Sequence, residues 1–450
     1  MMKLPATAFI LLAATATFAQ QASAPPPLAL THVTIIDTSG GPPQPDMTVL
    51  LRDGRIASIE KSASAAVPAD AEVVDARGHF LLPGLWDMHV HLSWTSASAL
   101  PVFVANGVTG VRDLGGRLGQ LDDWRTRIAA GLLVGPRIYR AGPMLNGRSF
   151  NPLQMVPGGP DETRGVVRAL KQVEVDFLKT HRRLPRDSYF ALIDEAKKQN
   201  LAVVGHIPME VTPEEASDAG QASLEHTETL FEGTFSANLK EGELPEAIRR
   251  FRTDGSAEKL FARFVQNKTV VTPTLVAYRS IFATIDPSYP PDPHSRYVAR
   301  SYKEAARQRA QAGTPEEIHM FTHTFAEMRE VVRLMNRAGV TLVTGSDTAG
   351  PRIPGFTLHD ELALLVESGL TPQQALQAAT LNPARLLKKE ADFGTVEAGK
   401  LADLVLLDAN PLDDIRNTQK ISAVILGGRL FRRADLDALL RDAEAQASKN

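Results

Sequence analysis

Six side chains with metal chemistry in reach, His89, His91, Lys179, His206, His226 and Asp347, fall at the ends of short β-branched runs in this 450-residue chain. The first pair reads His89-Val90-His91, and alternate residues of a strand share a face, so both imidazoles point the same way. Neutral imidazole and carboxylate are the usual ligands of zinc-like cations. One His-x-His is a weak signal, because a strand histidine can equally be a satisfied buried residue. Four histidines and an aspartate spread over separate strand ends are hard to explain in that way, and together they point to metal binding. Lys179 is a different case. An ammonium group is no ligand, and a lysine after Asp-Phe-Leu can simply face solvent. Beside divalent cations, however, the neutral amine is favoured and can trap CO₂ as a carbamate with two ligating oxygens. Spacing alone leaves both readings of Lys179 open. The chain has no cysteine, which excludes thiolate ligands, disulfides, a cysteine nucleophile and a lipoprotein anchor.

The elements that must position these groups alternate between short β-branched runs and helical patterns. Strands are predicted over 85–91, 109–113, 137–141, 176–179, 202–206, 223–226, 269–274 and 341–347. Amphipathic helices are predicted between them, among them 187–199 and 372–387, the latter behind the cap Thr371-Pro372. This α/β order predicts a (β/α)₈ TIM barrel over 85–387, whose active site gathers at the C-terminal ends of the strands. The segment 281–338 exceeds one crossover and is expected to add a helix pair over the barrel mouth. Strand-like stretches on both sides, with Asp53-Gly54 as a hairpin turn, predict a small β-sandwich domain built from 20–84 and 388–450. Residues 1–19 read as a signal peptide: Lys3, an apolar run from Ala6 to Phe18, and small residues before Gln20. That run is shorter than the ~20 apolar residues a membrane span requires, so export to the periplasm or the medium is expected, without a membrane anchor. A net charge of -3 with 49 basic and 52 acidic residues gives no polyanion-binding surface, so nucleic acid is not an expected partner.

The segments LLPGLWDMHVHL, GVTGVRDLGG, VDFLKTHRRL, AVVGHIP, ASLEHT and TLVTGSDT, followed by LHDELALLVESGLTPQQALQAATLNPARLL and GTVEAGKLADLVLLDANPLDD, together resemble the amidohydrolase superfamily. The likeness is to the branch holding Xaa-Pro dipeptidases, ochratoxinase-like carboxypeptidases and relatives of imidazolonepropionase, and it spans nearly all of the chain after the leader. It implies two divalent metal ions, usually zinc. His89, His91 and Asp347 would hold the more buried one, His206 and His226 the more exposed one, and carboxylated Lys179 would bridge them. One departure is Thr-His-Arg-Arg after Lys179 in place of an apolar or aromatic residue and a small loop, which makes His181 a possible substrate contact.

Such a metal pair would lower the pKa of a bridging water towards about 7. Asp347 would take its proton and pass it to the leaving nitrogen, with His226 as its catalytic neighbour, and Ser346 need not be a nucleophile. Tyr278, Arg279, Arg140 and His359 are the candidate substrate contacts, since a guanidinium at the mouth could hold a substrate carboxylate. The expected reaction is hydrolysis of an amide bond in a dipeptide or N-acyl amino acid. The alternative is a cyclic amide, lactone or imidazolone hydrolase, and a non-catalytic binding protein is disfavoured because every ligand is retained. The expected partner is a small molecule or short peptide, in a protein that could form a homo-oligomer.

Overall fold

The computed structural model describes residues 26–231 and 243–449, apart from 287, 291, 310–312 and 350–351. The expected leader at 1–19 lies outside the described residues. Both chain ends build one eight-stranded sheet: Leu28–Ile35, Gln44–Arg52, Arg55–Lys61, Glu72–Asp75 and Phe80–Pro83 join Leu404–Leu407, Ile421–Leu426 and Arg429–Arg432. The seam is the antiparallel pairing of Leu404–Leu407 with Phe80–Pro83. Period-two alternation shows how this sheet is used. Leu404 and Leu406 point into a core with Leu30, Ile35, Val49 and Ile56, while Val405 and Leu407 join the main core on the opposite face. At the hairpin, Asp53 and Gly54 both have left-handed φ, 51° and 73°, the backbone a two-residue turn with the right twist demands.

The middle of the chain supplies parallel strands: β1 (Leu85–Val90), β2 (Val108–Asp113) and β3 (Arg137–Arg140) in one sheet, and β4 (Phe177–Thr180), β5 (Ala202–Gly205), β6 (Ser223–Glu225) and β7 (Val270–Thr272) in another. Every residue of β1 and β2 is buried, as in parallel sheets covered on both faces. Backbone hydrogen bonds run on past the sheet edges. Asp176 N–H donates to Arg140 O at 3.0 Å between β3 and β4, while Val343 N–H reaches Val271 O at 3.0 Å and Met88 N–H reaches Thr344 O at 2.9 Å. The segment 341–348 therefore lies between β7 and β1.

Three expectations change in detail. The eighth strand, predicted over 341–347, forms only isolated bridges at Leu342 and Thr348. Its donors turn elsewhere, Thr344 N–H to Ala378 O and Ser346 N–H to the Asp87 carboxylate, and Asp347 leaves the extended region with φ 51°. The helix predicted over 372–387 divides into Pro372–Ala378 and Leu381–Leu386. Trp86 N–H takes the Ala379 carbonyl, for which Pro383 has no N–H to compete. The long helix Pro315–Ala338 buries Met328, Val331, Val332 and Met335 in the main core, so it is the crossover leading to 341–348. Among the described residues the extra material before it comprises the shorter helices Phe282–Ile285, Ser295–Tyr297 and Arg300–Arg309. Among the described residues no helix is long and apolar enough to cross a membrane.

Candidate metal centre

The strand ends bring distant histidines together. His89, His226 and Asp347 offer ligand atoms that all lie within 4.8 Å of one another. Asp347 Oδ1 is 3.5 Å from His89 Nε2 and 3.3 Å from His91 Nε2. The His226 ring centroid lies 4.6 Å from that of His89 and 4.7 Å from that of His206. Lys179, on β4, is fully buried, and Lys179 Nζ, His89 Nε2, His91 Nδ1 and His206 Nδ1 have no hydrogen-bond partner. One buried unsatisfied polar atom costs about 1–3 kcal/mol. Four among residues that converge on one space fit a cation site, where lone pairs are spent on an ion.

Electrostatics favour the ligating forms. Burial, then the nearby Lys179 charge, pushes the His89 imidazole down to about 4, and burial holds His206 and His226 well below the usual histidine range. Neutral imidazole is the form that binds metal. Burial likewise pushes the Lys179 amine down to about 8, towards the form that can react with CO₂. Burial would raise the Asp347 carboxyl, but the Arg352 guanidinium and then the surrounding histidines keep it well below the carboxylate range.

The supporting shell comes from across the fold. Glu225 Oε2 accepts from His89 Nδ1 at 3.0 Å, which leaves His89 Nε2 as the ligating atom. Arg112, fully buried on β2, donates to Glu225 Oε1 at 2.7 Å, Ser223 Oγ at 2.8 Å, Met88 O at 2.6 Å and Thr272 Oγ1 at 3.2 Å, tying four strands together. His226 Nδ1 pairs with Thr274 Oγ1 at 2.6 Å. His226, Thr274 and Asp347 all hold left-handed φ, 69°, 47° and 51°, a local strain that the rest of the fold sustains. Gly205 has φ 124°, and a Cβ there would meet Thr180 O at 2.4 Å and Lys179 Cδ at 2.7 Å, so its bareness is what admits the Lys179 side chain. Glu225→Ala would strip Arg112 of its buried counter-charge. The expected loss is about 3–5 kcal/mol of stability with a 10- to 100-fold loss of metal affinity, read by thermal melting and metal titration.

A model of the amidohydrolase family matches residues 80–431, which contain the whole cluster. The chain belongs to the amidohydrolase family. This amidohydrolase is a hydrolase acting on carbon–nitrogen bonds. It is 25% identical over 387 residues to an imidazolonepropionase of Symbiobacterium thermophilum, covering 81% of this chain and 84% of that one. It is also 25% identical over 419 residues to the ochratoxinase of Aspergillus niger, covering 78% of this chain and 75% of that one. In fold it resembles the crystal structure of a Xaa-Pro dipeptidase with bound methionine, at TM-score 0.68 and 23% identity over 90% of this chain and all of the other.

The four expected substrate contacts of this amidohydrolase fall in different places. Arg140 is 5% exposed and spends its guanidinium on the Asp122 carboxylate at 2.6 and 3.0 Å and on the Val173 and Glu174 carbonyls. His359 is buried between Thr418 Oγ1 at 2.9 Å and Asn106 O at 3.0 Å, where it bolts the helix Phe356–Glu367 to its neighbours. Both polar groups are consumed by the scaffold. Tyr278 packs beneath the long helix, its ring 5.6 Å from Phe321, and Arg279 pairs with Asp360 at 2.9 Å while remaining partly exposed. Ser346 Oγ is engaged by the Asp87 carboxylate and Thr348 Oγ1, each at 2.5 Å, so it is a strut and not a free hydroxyl.

Several functional neighbours escaped sequence reasoning. Glu225 and Arg112 lie within ASLEHT and GVTGVRDLGG, where a charge inside a predicted buried strand is the signal. Arg352 grips Asp347 twice, Nε on its carbonyl at 2.5 Å and Nη2 on Oδ2 at 2.8 Å, and nothing in its local sequence announced this. His181, which the sequence did single out as a substrate contact, has its ring centroid 4.5 Å from that of His206.

Proposed function

We propose that this amidohydrolase is an exported enzyme that carries two divalent cations and hydrolyses the C–N bond of dipeptides or N-acyl amino acids. The observation that carries the reading is the cluster of buried, unpartnered nitrogens on His89, His91, Lys179 and His206 beside His226 and Asp347. The scaffold is a (β/α)₈ barrel over 85–387 in which segment 341–348 serves as the eighth stave, joined to the domain whose described strands, from Leu28–Ile35 to Arg429–Arg432, share one eight-stranded sheet. His89, His91 and Asp347 would hold the inner cation and His206 and His226 the outer, with a carbamate on Lys179 reaching both. Imidazole-rich ligation favours zinc.

When bound, the cations polarise the scissile carbonyl and acidify the attacking water. Asp347 Oδ1 faces that space, takes the proton released on attack and returns it to the departing nitrogen. Arg352 steadies Asp347 through the other oxygen, and Glu225 and Thr274 keep the His89 and His226 rings aimed. Engagement of Ser346 by Asp87 supports direct attack by water over a covalent serine route. The Xaa-Pro dipeptidase it resembles in fold is the ground for a dipeptide substrate, and the imidazolonepropionase is the ground for the cyclic-amide alternative.

The test is reconstitution with zinc and bicarbonate, followed by a panel of dipeptides, N-acyl amino acids and cyclic amides scored for amine release against ring opening. About two metals per chain with amine release from linear substrates is expected. Less than one metal per chain with no rescued turnover would end this reading, and ring opening alone would replace the substrate class.

A further inference from the structure

The outer face of the helix Pro315–Ala338 carries two histidines one turn apart, His319 and His323, with ring centroids 4.1 Å from each other. Both are exposed. Glu316, three residues before His319, lies on the same stripe of the helix. The helix Leu244–Thr253 packs alongside, and a groove of about 470 Å³ opens between the two, lined by Glu246, Arg249, Glu316, His319, Met320 and His323. Arg249 is ion-paired with Glu246, so that wall adds no net positive charge. The helix start is rigid, because Thr314 and Glu317 form a reciprocal capping box. On the opposite side Phe321 packs tilted against Tyr278 at 5.6 Å and Phe325 stacks on it at 6.2 Å. Packing accounts for those inward residues, but it demands no imidazoles at the two outward positions.

We propose that His319 and His323 form an accessory site for one divalent transition-metal ion, separate from the centre at the strand ends. Two imidazoles at i and i+4 present nitrogens to a common point, and the folded helix has already met the entropic cost of aligning them. The donor set selects the ion: imidazole suits zinc, nickel and copper, whereas magnesium and calcium seek oxygen cages. Water completes the coordination, since among the described residues no carboxylate groups with the two imidazoles within 4.8 Å. A bound ion would pin the first turns of a helix whose inner face rests on Tyr278, and so would brace that wall of the barrel.

The test is titration of Ni²⁺ into protein already loaded with zinc and bicarbonate and then desalted, followed by calorimetry and thermal melting. The expected result is one additional equivalent in the parent, with a rise in melting temperature. His319→Ala and His323→Ala should each weaken that equivalent about tenfold or more, because a chelate becomes a single ligand, while zinc content and turnover stay within twofold. His319→Gln and His323→Gln, which retain a polar side chain on the exposed face, serve should either alanine variant lose stability. Absence of an extra equivalent in the parent, or unchanged nickel affinity in the variants, overturns the site. Loss of the strand-end zinc in the variants overturns its independence.

Discussion

Lys179→Ala is expected to lose at least one metal ion per chain and to turn over about 10³-fold more slowly, the equivalent of about 4 kcal/mol of transition-state stabilisation. The side chain is fully buried with no partner at Nζ, and burial has pushed the amine down to about 8. As a bare ammonium it would be a cost to the fold, offset by nothing within hydrogen-bond reach. As a carbamate it gains ligating oxygens. The variant should still fold, since it removes a disfavoured buried cation at the expense of a small cavity. Lys179→Glu, which supplies a carboxylate without CO₂, should recover part of the metal. Elemental analysis and kcat measured with and without bicarbonate check both. Two metals and normal turnover in the alanine variant would show that Lys179 bridges nothing.

Asp347→Asn should separate binding from chemistry. The carboxamide keeps the shape and one ligating oxygen, so much of the metal should remain, with some loss because its NH₂ must face either Arg352 or the histidines. It cannot accept the proton released by the attacking water. A fall in kcat of about 10²–10⁴ with little change in KM is expected, the usual contribution of a general acid–base group. Activity within tenfold of the parent, at equal metal content, would assign the proton transfer to another residue.

Much of this was legible in the chain before folding. The positions of β1, β2, β5 and β6 follow from apolar, β-branched runs, and a histidine placed last in such a run must sit at the strand's end. His89, His91, His206 and His226 were therefore readable as a set. Arg140 met the same positional criterion and His359 opens the helix after the last strand, yet their polar atoms are taken by Asp122, the Val173 and Glu174 carbonyls, Thr418 and Asn106. Position along a strand says how far up a barrel a residue sits. It does not say which neighbour will claim its side chain.

The linear order of residues determined the alternation of elements, the donor types available and the family to which they belong, because each rests on local periodicity or on short motifs. Tertiary structure alone decided which atoms those donors meet. Glu225 is 136 residues from His89 and 113 from Arg112, and Asp87 is 259 from Ser346, separations that no local pattern encodes. The left-handed turns at His226, Thr274 and Asp347 are of the same kind. Each is unfavourable by itself and persists only where packing and hydrogen bonds from other strands hold it, so the aim of the site is a property of the closed fold.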